Sequence, residues 1–242
     1  MSIQPNLRVQ FVGLALLCLL VLTSCDRLIT PGSGSVVERE FQLADFDQVS
    51  IENAFRGTVQ QGETFSVIVR IDDNLEQQLK VEQNGSQLTI GLDPQVATTR
   101  STLEYEIVTP ALEAVNASGA SVIQLSGFTS SENFSVEASG ASRVEGDITT
   151  GDMDATASGA STIRLNGSGN NLQADASGAS TIDLENFIVN DVNANASGAS
   201  RVNVNAGGQL DAEASGASTI RYSGNPTLGT VREDGGSTVQ SR

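Results

Sequence analysis

The residue best placed to undergo chemistry is Cys25, the last residue of Leu22-Thr23-Ser24-Cys25. An aliphatic residue, two small residues and a thiol resemble a bacterial lipobox. The small side chains let an extended segment enter a peptidase cleft, and the thiol receives the diacylglyceryl group. Two or three acyl chains hold a protein on a bilayer where one does not. The preceding residues suit this reading. Arg8 is the only charge before Asp26, and Val9 to Leu22 is a nearly unbroken apolar run of 14 residues. Such a run is too short to span a bilayer comfortably and is the length of a signal-peptide core. The expectation is a signal peptide over residues 1–24, lipid attachment at Cys25, and export to the bacterial cell envelope, facing the periplasm or lying at the cell surface. An ordinary secretory signal, with Cys25 incidental, is the alternative.

The remaining inventory excludes much. The 242 residues include no His, and of the two Cys one, Cys18, lies in the leader. A zinc site, a Ser–His or Cys–His pair, a redox dithiol and an internal disulfide all lack their residues. No cofactor or metal is expected. Beyond the leader, 12 basic side chains stand against 29 acidic ones, with Lys80 the single Lys. That balance repels nucleic acid and anionic lipid surfaces, so no nucleic-acid partner is expected.

What positions the remaining polar groups is a repeat. Ala-Ser-Gly-Ala-Ser occurs intact six times, beginning at Ala117, Ala138, Ala157, Ala176, Ala196 and Ala214, at intervals of 21, 19, 19, 20 and 18 residues. A degenerate copy, Glu233-Asp234-Gly235-Gly236-Ser237, follows 19 residues later. Counted from each motif's first Ala, the apolar positions lie four before (Phe134, Met153, Leu172, Val192, Leu210), two before (Val115, Val136, then Ala155, Ala174, Ala194, Ala212) and six after (Ile123, Val144, Ile163, Ile182, Val202, Ile220). All offsets are even, which is the period of a β-strand with one face inward. About 20 residues per repeat of β structure fits one coil of a parallel β-solenoid, or β-helix, over residues 111–242. The mid-motif glycines Gly119, Gly140, Gly159, Gly178, Gly198 and Gly216 are expected at a bend where a Cβ would strike the next coil. Stretches such as 127–133 and 167–171 are expected as loops.

Before the repeat, residues 36–110 read as an all-β region of about seven short strands, with alternation in Phe65–Ile71, Leu88–Leu92 and Leu103–Ile107. Asn84-Gly85 suits a tight hairpin, Asn74–Leu79 is mildly helical, and Asp72 and Asp73 are expected in a solvated turn. Residues 25–35, with Pro31-Gly32-Ser33-Gly34-Ser35, are expected to be a flexible tether between lipid and fold.

Stacking would turn single residues into ladders. The first serines of the motif, Ser118, Ser139, Ser158, Ser177, Ser197 and Ser215, could form a glycan-binding strip, though hydrogen bonding along the stack is the simpler expectation. Asn116, Glu137, Asp175, Asn195 and Glu213 carry the oxygens Ca²⁺ takes, but match no Ca²⁺ repeat, so solvation is expected. Gln124, Glu145, Arg164, Asp183, Asn203 and Arg221 should stack outward, making Glu145–Arg164–Asp183 an opposite-charge ladder. Arg143, Arg164, Arg201 and Arg221 could read acidic sugars, with pairing to ladder acids favoured.

The chain resembles the putative auto-transporter adhesin, head GIN domain family over nearly its whole mature length. The resemblance rests on Phe46-Asp47-Gln48-Val49 followed by Gln60-Gln61-Gly62, on Leu88-Thr89-Ile90, Thr109-Pro110-Ala111-Leu112 and the recurring Ser-Gly-Ala-Ser-x-Ile, and most specifically on Tyr222-Ser223-Gly224-Asn225-Pro226. It implies a β-helical exported domain. The function expected is a non-catalytic, adhesin-like binding or scaffold lipoprotein, held to the membrane through Cys25 and meeting a glycan or protein ligand at the cell envelope. A polysaccharide-active β-helix enzyme and a self-associating structural protein are the alternatives.

Overall fold

The computed structural model describes residues 29–242; the expected signal peptide, Leu22, Thr23, Ser24 and Cys25 lie outside the described residues. The repeat forms a two-sheeted parallel solenoid. One strand of each coil enters a ten-stranded sheet, here sheet I, and the next enters an eleven-stranded sheet, sheet II. Phe134–Ala138 on sheet I, for example, runs through a corner at 139–142 into Arg143–Thr149 on sheet II. Equivalent residues stack in register: Val136 pairs with Ala155, Ala155 with Ala174, and Ala174 with Ala194. Nine strands of each sheet stack in parallel, from Gln87–Leu92 to Thr227–Glu233 on sheet I and from Leu103–Thr109 to Thr238–Ser241 on sheet II. At about 4.8 Å per level this column rises about 38 Å.

The inward columns are those the period implies. Ile123, Val144, Ile163, Ile182, Val202 and Ile220 are all fully buried, as are the alanines that face them from sheet I. Next to the corner of the intact motifs the inward residues of sheet I are all Ala, and four residues before them they are the larger Phe134, Met153, Leu172, Val192 and Leu210.

The solenoid does not begin at residue 111. Gln48–Ile51 and Arg56–Gln61 already form a complete coil, in register with Ala114–Ala117 and Val122–Thr129. Both sheets therefore run through the expected boundary at residue 110, and the 36–110 region is the first coil plus a cap. The cap is made by turning the strand direction over. The hairpin Leu79–Asn84 and Gln87–Leu92 closes sheet I, while Ser66–Asp72 and Val36–Phe41 add antiparallel to sheet II beyond Leu103–Thr109. Phe46, Phe55 and Tyr105 fill the end of the core at this seal. The expected loops at 127–133 and 167–171 are shortened, because strands run to Thr129 and Ser168 and resume at Asn171.

The expected flexible tether is also docked from its fifth residue on. Ile29–Pro31 pairs in parallel with Ala97–Thr99. Asp72, placed by the sequence in a solvated turn, is 1% exposed. One of its carboxylate oxygens accepts the Gly34 N–H at 2.7 Å and the other the Thr102 N–H at 2.6 Å. A buried carboxylate between two backbone donors clamps this segment to the cap. The neighbouring 73–78 segment is the helical turn the sequence suggested, a 3₁₀ helix.

Candidate functional site

The corner of each coil explains the motif residue by residue. Gly119, Gly140, Gly159, Gly178, Gly198 and Gly216 all adopt φ between 70° and 76°, a left-handed conformation costly to any residue with a Cβ. A Cβ on Gly159 would lie 2.6 Å from the Gly140 carbonyl oxygen. That oxygen already accepts the Ala160 N–H at 2.7 Å. The clash comes from the preceding coil alone, so the end glycine, Gly235, with φ 73° and a contact of 2.9 Å to the Gly216 oxygen, is restricted in the same sense.

The hydroxyl ladder along the stack is made by the second serine of the motif, not the first. Ser142, Ser161, Ser180, Ser200 and Ser218 are buried. Ser161 Oγ donates to the Ala138 carbonyl at 2.8 Å, and its equivalents repeat the bond at every coil. The first serines lie at the surface, spending their N–H groups on the preceding coil, as Ser158 does on Ala138. The parity of the repeat separates the two serines: the second stands four residues after the motif Ala, an inward offset, and the first one residue after it, an outward one.

The expected charge ladder is present on the outer face of sheet II. Glu145, Arg164 and Asp183 are consecutive register partners, and Arg164 lies 3.2 Å from each acid. Arg143 approaches Glu145 at 3.6 Å, whereas Arg201 and Arg221 have no carboxylate within ion-pair distance among the described residues. On the outer face of sheet I, Asn116, Glu137, Asp175, Asn195 and Glu213 stack in one column. They bond one another and their neighbours: Asn195 donates to Asp175 at 2.8 Å and Arg232 to Glu213 at 2.6 Å. Nearby, Asp211 is held below the ordinary carboxylate value by the Thr230 N–H and by the Gln209 amide. Among the described residues no group of three or more Asp, Glu, Cys or His is arranged to hold a metal ion.

The regular faces offer ladders, with a concavity of about 590 Å³ over Ser177, Ser197 and Ser215 beside Asp175, Asn195 and Glu213, and a larger one interrupts the repeat. A groove of about 760 Å³ lies at the first corner, between residues 53–56, the 92–104 segment and Gly119-Ala120 of the next coil. Register places Asn53 where later coils have the mid-motif Gly, Ala54 in the slot of Ala120, and Phe55 in the slot of the buried Ser. Asn53 has φ 64°, Ala54 φ 97° and Arg100, on the opposite wall, φ 51°. These are three of the four non-glycine residues with positive φ among the described residues. Asn53 is fixed by its own side chain, whose Oδ1 accepts the Leu92 N–H at 2.8 Å. Arg56 and Arg100 line the groove with no ion-pair partner among the described residues, together with Glu104 and the hydroxyl residues Thr98, Thr99, Ser101 and Thr102. The outer wall is braced from behind by the docked Ile29–Pro31 segment.

Apart from Gly119, none of these groove residues was singled out as a site by the sequence reading. The usable signal was Val49–Phe55 read as a divergent coil, because Asn is the side chain that best substitutes for Gly in the left-handed region. The candidate glycines, by contrast, line no site except where Gly119 touches the groove edge.

A family model described as putative auto-transporter adhesin, head GIN domain matches residues 45–226. The fold is shared with solved structures at low identity. A putative adhesin from Bacteroides fragilis NCTC 9343 superposes with TM-score 0.83 at 18% identity, covering 88% of this chain and 100% of its own. A putative lipid binding protein from Parabacteroides distasonis ATCC 8503 gives TM-score 0.74 at 18% identity over 88% of this chain and 99% of its own. A putative adhesin from Parabacteroides merdae ATCC 43184 gives 0.68, also at 18% identity, over 88% of this chain and 99% of its own. Among curated proteins, none matches the chain in sequence.

Proposed function

This chain belongs to the putative auto-transporter adhesin, head GIN domain family, and from that premise we propose that it is an exported, lipid-anchored binding module of the bacterial cell envelope that carries out no catalysis. The observation that carries the reading is the first-corner groove, a strained concavity set into an otherwise regular and rigid column. Residues held in sparsely populated backbone conformations persist only where their surroundings over-determine them, and they cluster at ligand sites. The adhesin description of the family and of two structural neighbours supports binding over turnover. So does the placement of carboxylates: among the described residues Asp72 is the one buried acid, and both its oxygens are taken by backbone N–H groups.

Anchoring rests on Leu22-Thr23-Ser24-Cys25. Four residues from Cys25 to Ile29 reach at most about 14 Å. Acylation at Cys25 would therefore hold the capped end, with its groove, close to the bilayer, and the solenoid would project from it. No helix among the described residues is long and apolar enough to cross a membrane. Two measurements test this function. The mature chain from native membranes should carry a diacylglyceryl mass on Cys25 and partition into detergent, and Cys25→Ser should abolish both. The mature Cys25→Ser chain, screened on a glycan array, should retain specific ligands, and Asn53→Trp, which fills the groove, should remove them.

Self-association is a second reading, favoured by one observation. At the far end Leu228 and Val231 continue the core columns of Leu210 and Ala212 yet remain 48% and 41% exposed, on the Thr227–Glu233 strand at the open edge of sheet I. Unpaired edges invite pairing with a second copy. A concentration-dependent mass in sedimentation, abolished by Val231→Lys, would favour it.

A further inference from the structure

The groove at the first corner differs from the rest of the surface in charge as well as in shape. The protein has a formal charge of −16, and most described cations are neutralised locally: Arg39, Arg70, Lys80, Arg143, Arg164, Arg232 and Arg242 all sit against carboxylates. Arg56 and Arg100 do not, and both line one groove. They approach it from different elements, Arg56 from the first residue of the Arg56–Gln61 strand and Arg100 from the segment after Ala97–Thr99. Arg201 and Arg221 also have no ion-pair partner among the described residues, but they lie in a smaller notch of about 270 Å³ on the outer face of sheet II, away from any strained backbone.

Resting on the groove as the binding site, we propose that its ligand is a glycan carrying a carboxylated sugar, with the carboxylate held between Arg56 and Arg100. A guanidinium presents paired N–H donors that match a carboxylate, and two of them unpaired in a recess form an anion site. The rest of the lining selects a sugar over other carboxylates. Thr98, Thr99, Ser101 and Thr102 supply hydroxyls, and the Ser101 hydroxyl donates to Thr98 Oγ1 at 2.9 Å, which leaves donor and acceptor capacity on the wall. Glu104, the register partner of Arg56 on the adjacent strand, accepts from sugar hydroxyls. A fatty-acid tail would need a continuous apolar wall, whereas Leu92, Val96 and Leu103 here stand among arginines, Glu104 and hydroxyls.

The net charge narrows the class further. A polyanion or an anionic bilayer surface is repelled by the protein as a whole. One acidic sugar in a largely neutral chain meets two arginines against a single acid, Glu104, in the lining. The fixed backbone serves this purpose, because Asn53, Ala54 and Arg100 are already held in left-handed conformations before any ligand arrives. Preorganisation of this kind lowers the ordering cost of binding.

The experiment uses the mature Cys25→Ser chain and an oligosaccharide ending in glucuronate, its carboxyl-reduced counterpart ending in glucose, and vesicles of phosphatidylglycerol. Calorimetry should show binding of the acid, with the reduced sugar at least about tenfold weaker. Arg56→Gln and Arg100→Gln should each lose about tenfold, the scale of one charge-assisted hydrogen bond, at unchanged melting temperature. Arg201→Gln and Arg221→Gln should bind as the parent does. Equal affinity for acid and reduced sugar, both lost with Asn53→Trp, overturns the carboxylate class and leaves the binding module standing. Loss of binding in Arg201→Gln or Arg221→Gln but not in Arg56→Gln or Arg100→Gln moves the site and overturns the proposal. Vesicle binding that depends on Arg56 and Arg100 without glucuronate binding overturns it in favour of a lipid headgroup. No glycan ligand of any kind on the array, with Asn53→Trp changing nothing, overturns the binding function itself.

Discussion

Replacing Gly159 with Ala separates the two demands that the coil makes on its corners. The first demand is conformational: at φ 70° an L-residue pays about 1–2 kcal/mol. The second is space, because the new Cβ would sit 2.6 Å from the Gly140 oxygen and 3.2 Å from its nitrogen, both backbone atoms that cannot rotate away. Relief means lengthening the Ala160 N–H bond to that same oxygen, a rung that recurs at every corner. Overpacking of this kind costs about 1–3 kcal/mol. Gly127 supplies the control. Its φ is 81° and a Cβ there meets nothing within 4 Å, so Gly127→Ala pays the conformational cost alone. The two variants should differ by the steric part, about 1–3 kcal/mol. For a domain of this size, at about 2–4 °C per kcal/mol, that is about 2–12 °C in melting midpoint. Gly235→Ala should fall between them, since its contact is 2.9 Å and the end coil can give. Thermal unfolding followed by circular dichroism decides the matter. Equal midpoints for Gly159→Ala and Gly127→Ala would refute the packed corner and leave only a chain of left-handed turns.

The paired serines give a second contrast. Ser161→Ala removes a buried hydroxyl bond to Ala138 and should cost about 1 kcal/mol in urea unfolding, while Ser158→Ala, one turn away at the surface, should stay within about 0.5 kcal/mol of the parent. Asp72→Asn replaces a carboxylate that accepts two N–H bonds with a group that must turn one donor towards another; exchange protection at Gly34 and Thr102 should fall, and the 29–35 segment should become the first site of limited proteolysis. Burial pushes the Tyr105 phenol well above its ordinary value of 10.0, its O–H being donated to the Val122 carbonyl at 3.0 Å. A group whose folded pKa is raised contributes stability below its unfolded pKa and loses it as pH climbs above, so stability should decline from about pH 10 upward. Absorbance at 295 nm should then show Tyr105 ionising only on unfolding, and Tyr105→Phe should flatten the alkaline decline.

The column was legible because its two determinants are local and periodic. Even offsets from the motif Ala identify the inward faces, and every Ile or Val six residues after it is buried. The fixed interval also predicts which outward residues meet, and Glu145, Arg164 and Asp183 meet as the interval requires. The cap and the clamp were not legible in the same way. Asp72 is buried only because Gly34 and Thr102, 38 and 30 residues away, bring their N–H groups to it. Nothing in the local pattern at Asp72-Asp73 distinguishes that environment from a solvated turn. The start of the solenoid was misplaced for a related reason: the first coil keeps the geometry of the repeat while changing its residues.

That first coil also shows why the groove escaped detection. A corner needs one left-handed residue, a small residue after it, and something to fill the slot beneath. Gly, Ala and Ser meet those needs with the least strain, and the chain uses them at six successive corners. At the first corner it uses Asn53, Ala54 and Phe55, with Ala54 driven to φ 97°. The large Phe55 is accounted for by the cap, where it is fully buried and helps seal the core. The strain at Ala54 is not, because a Gly there would relieve it without disturbing the seal. Gly at that slot is tolerated by the fold itself, since the degenerate last corner places Gly236 in the equivalent position. Gly would also free the wall of the groove to move. Retaining Ala keeps Asn53 and Arg56 in one arrangement at a cost in stability. Ala54→Gly is therefore expected to raise the melting midpoint, or leave it unchanged, while weakening ligand binding at the groove; a variant that bound more tightly would show that the strain is not there to preorganise the site.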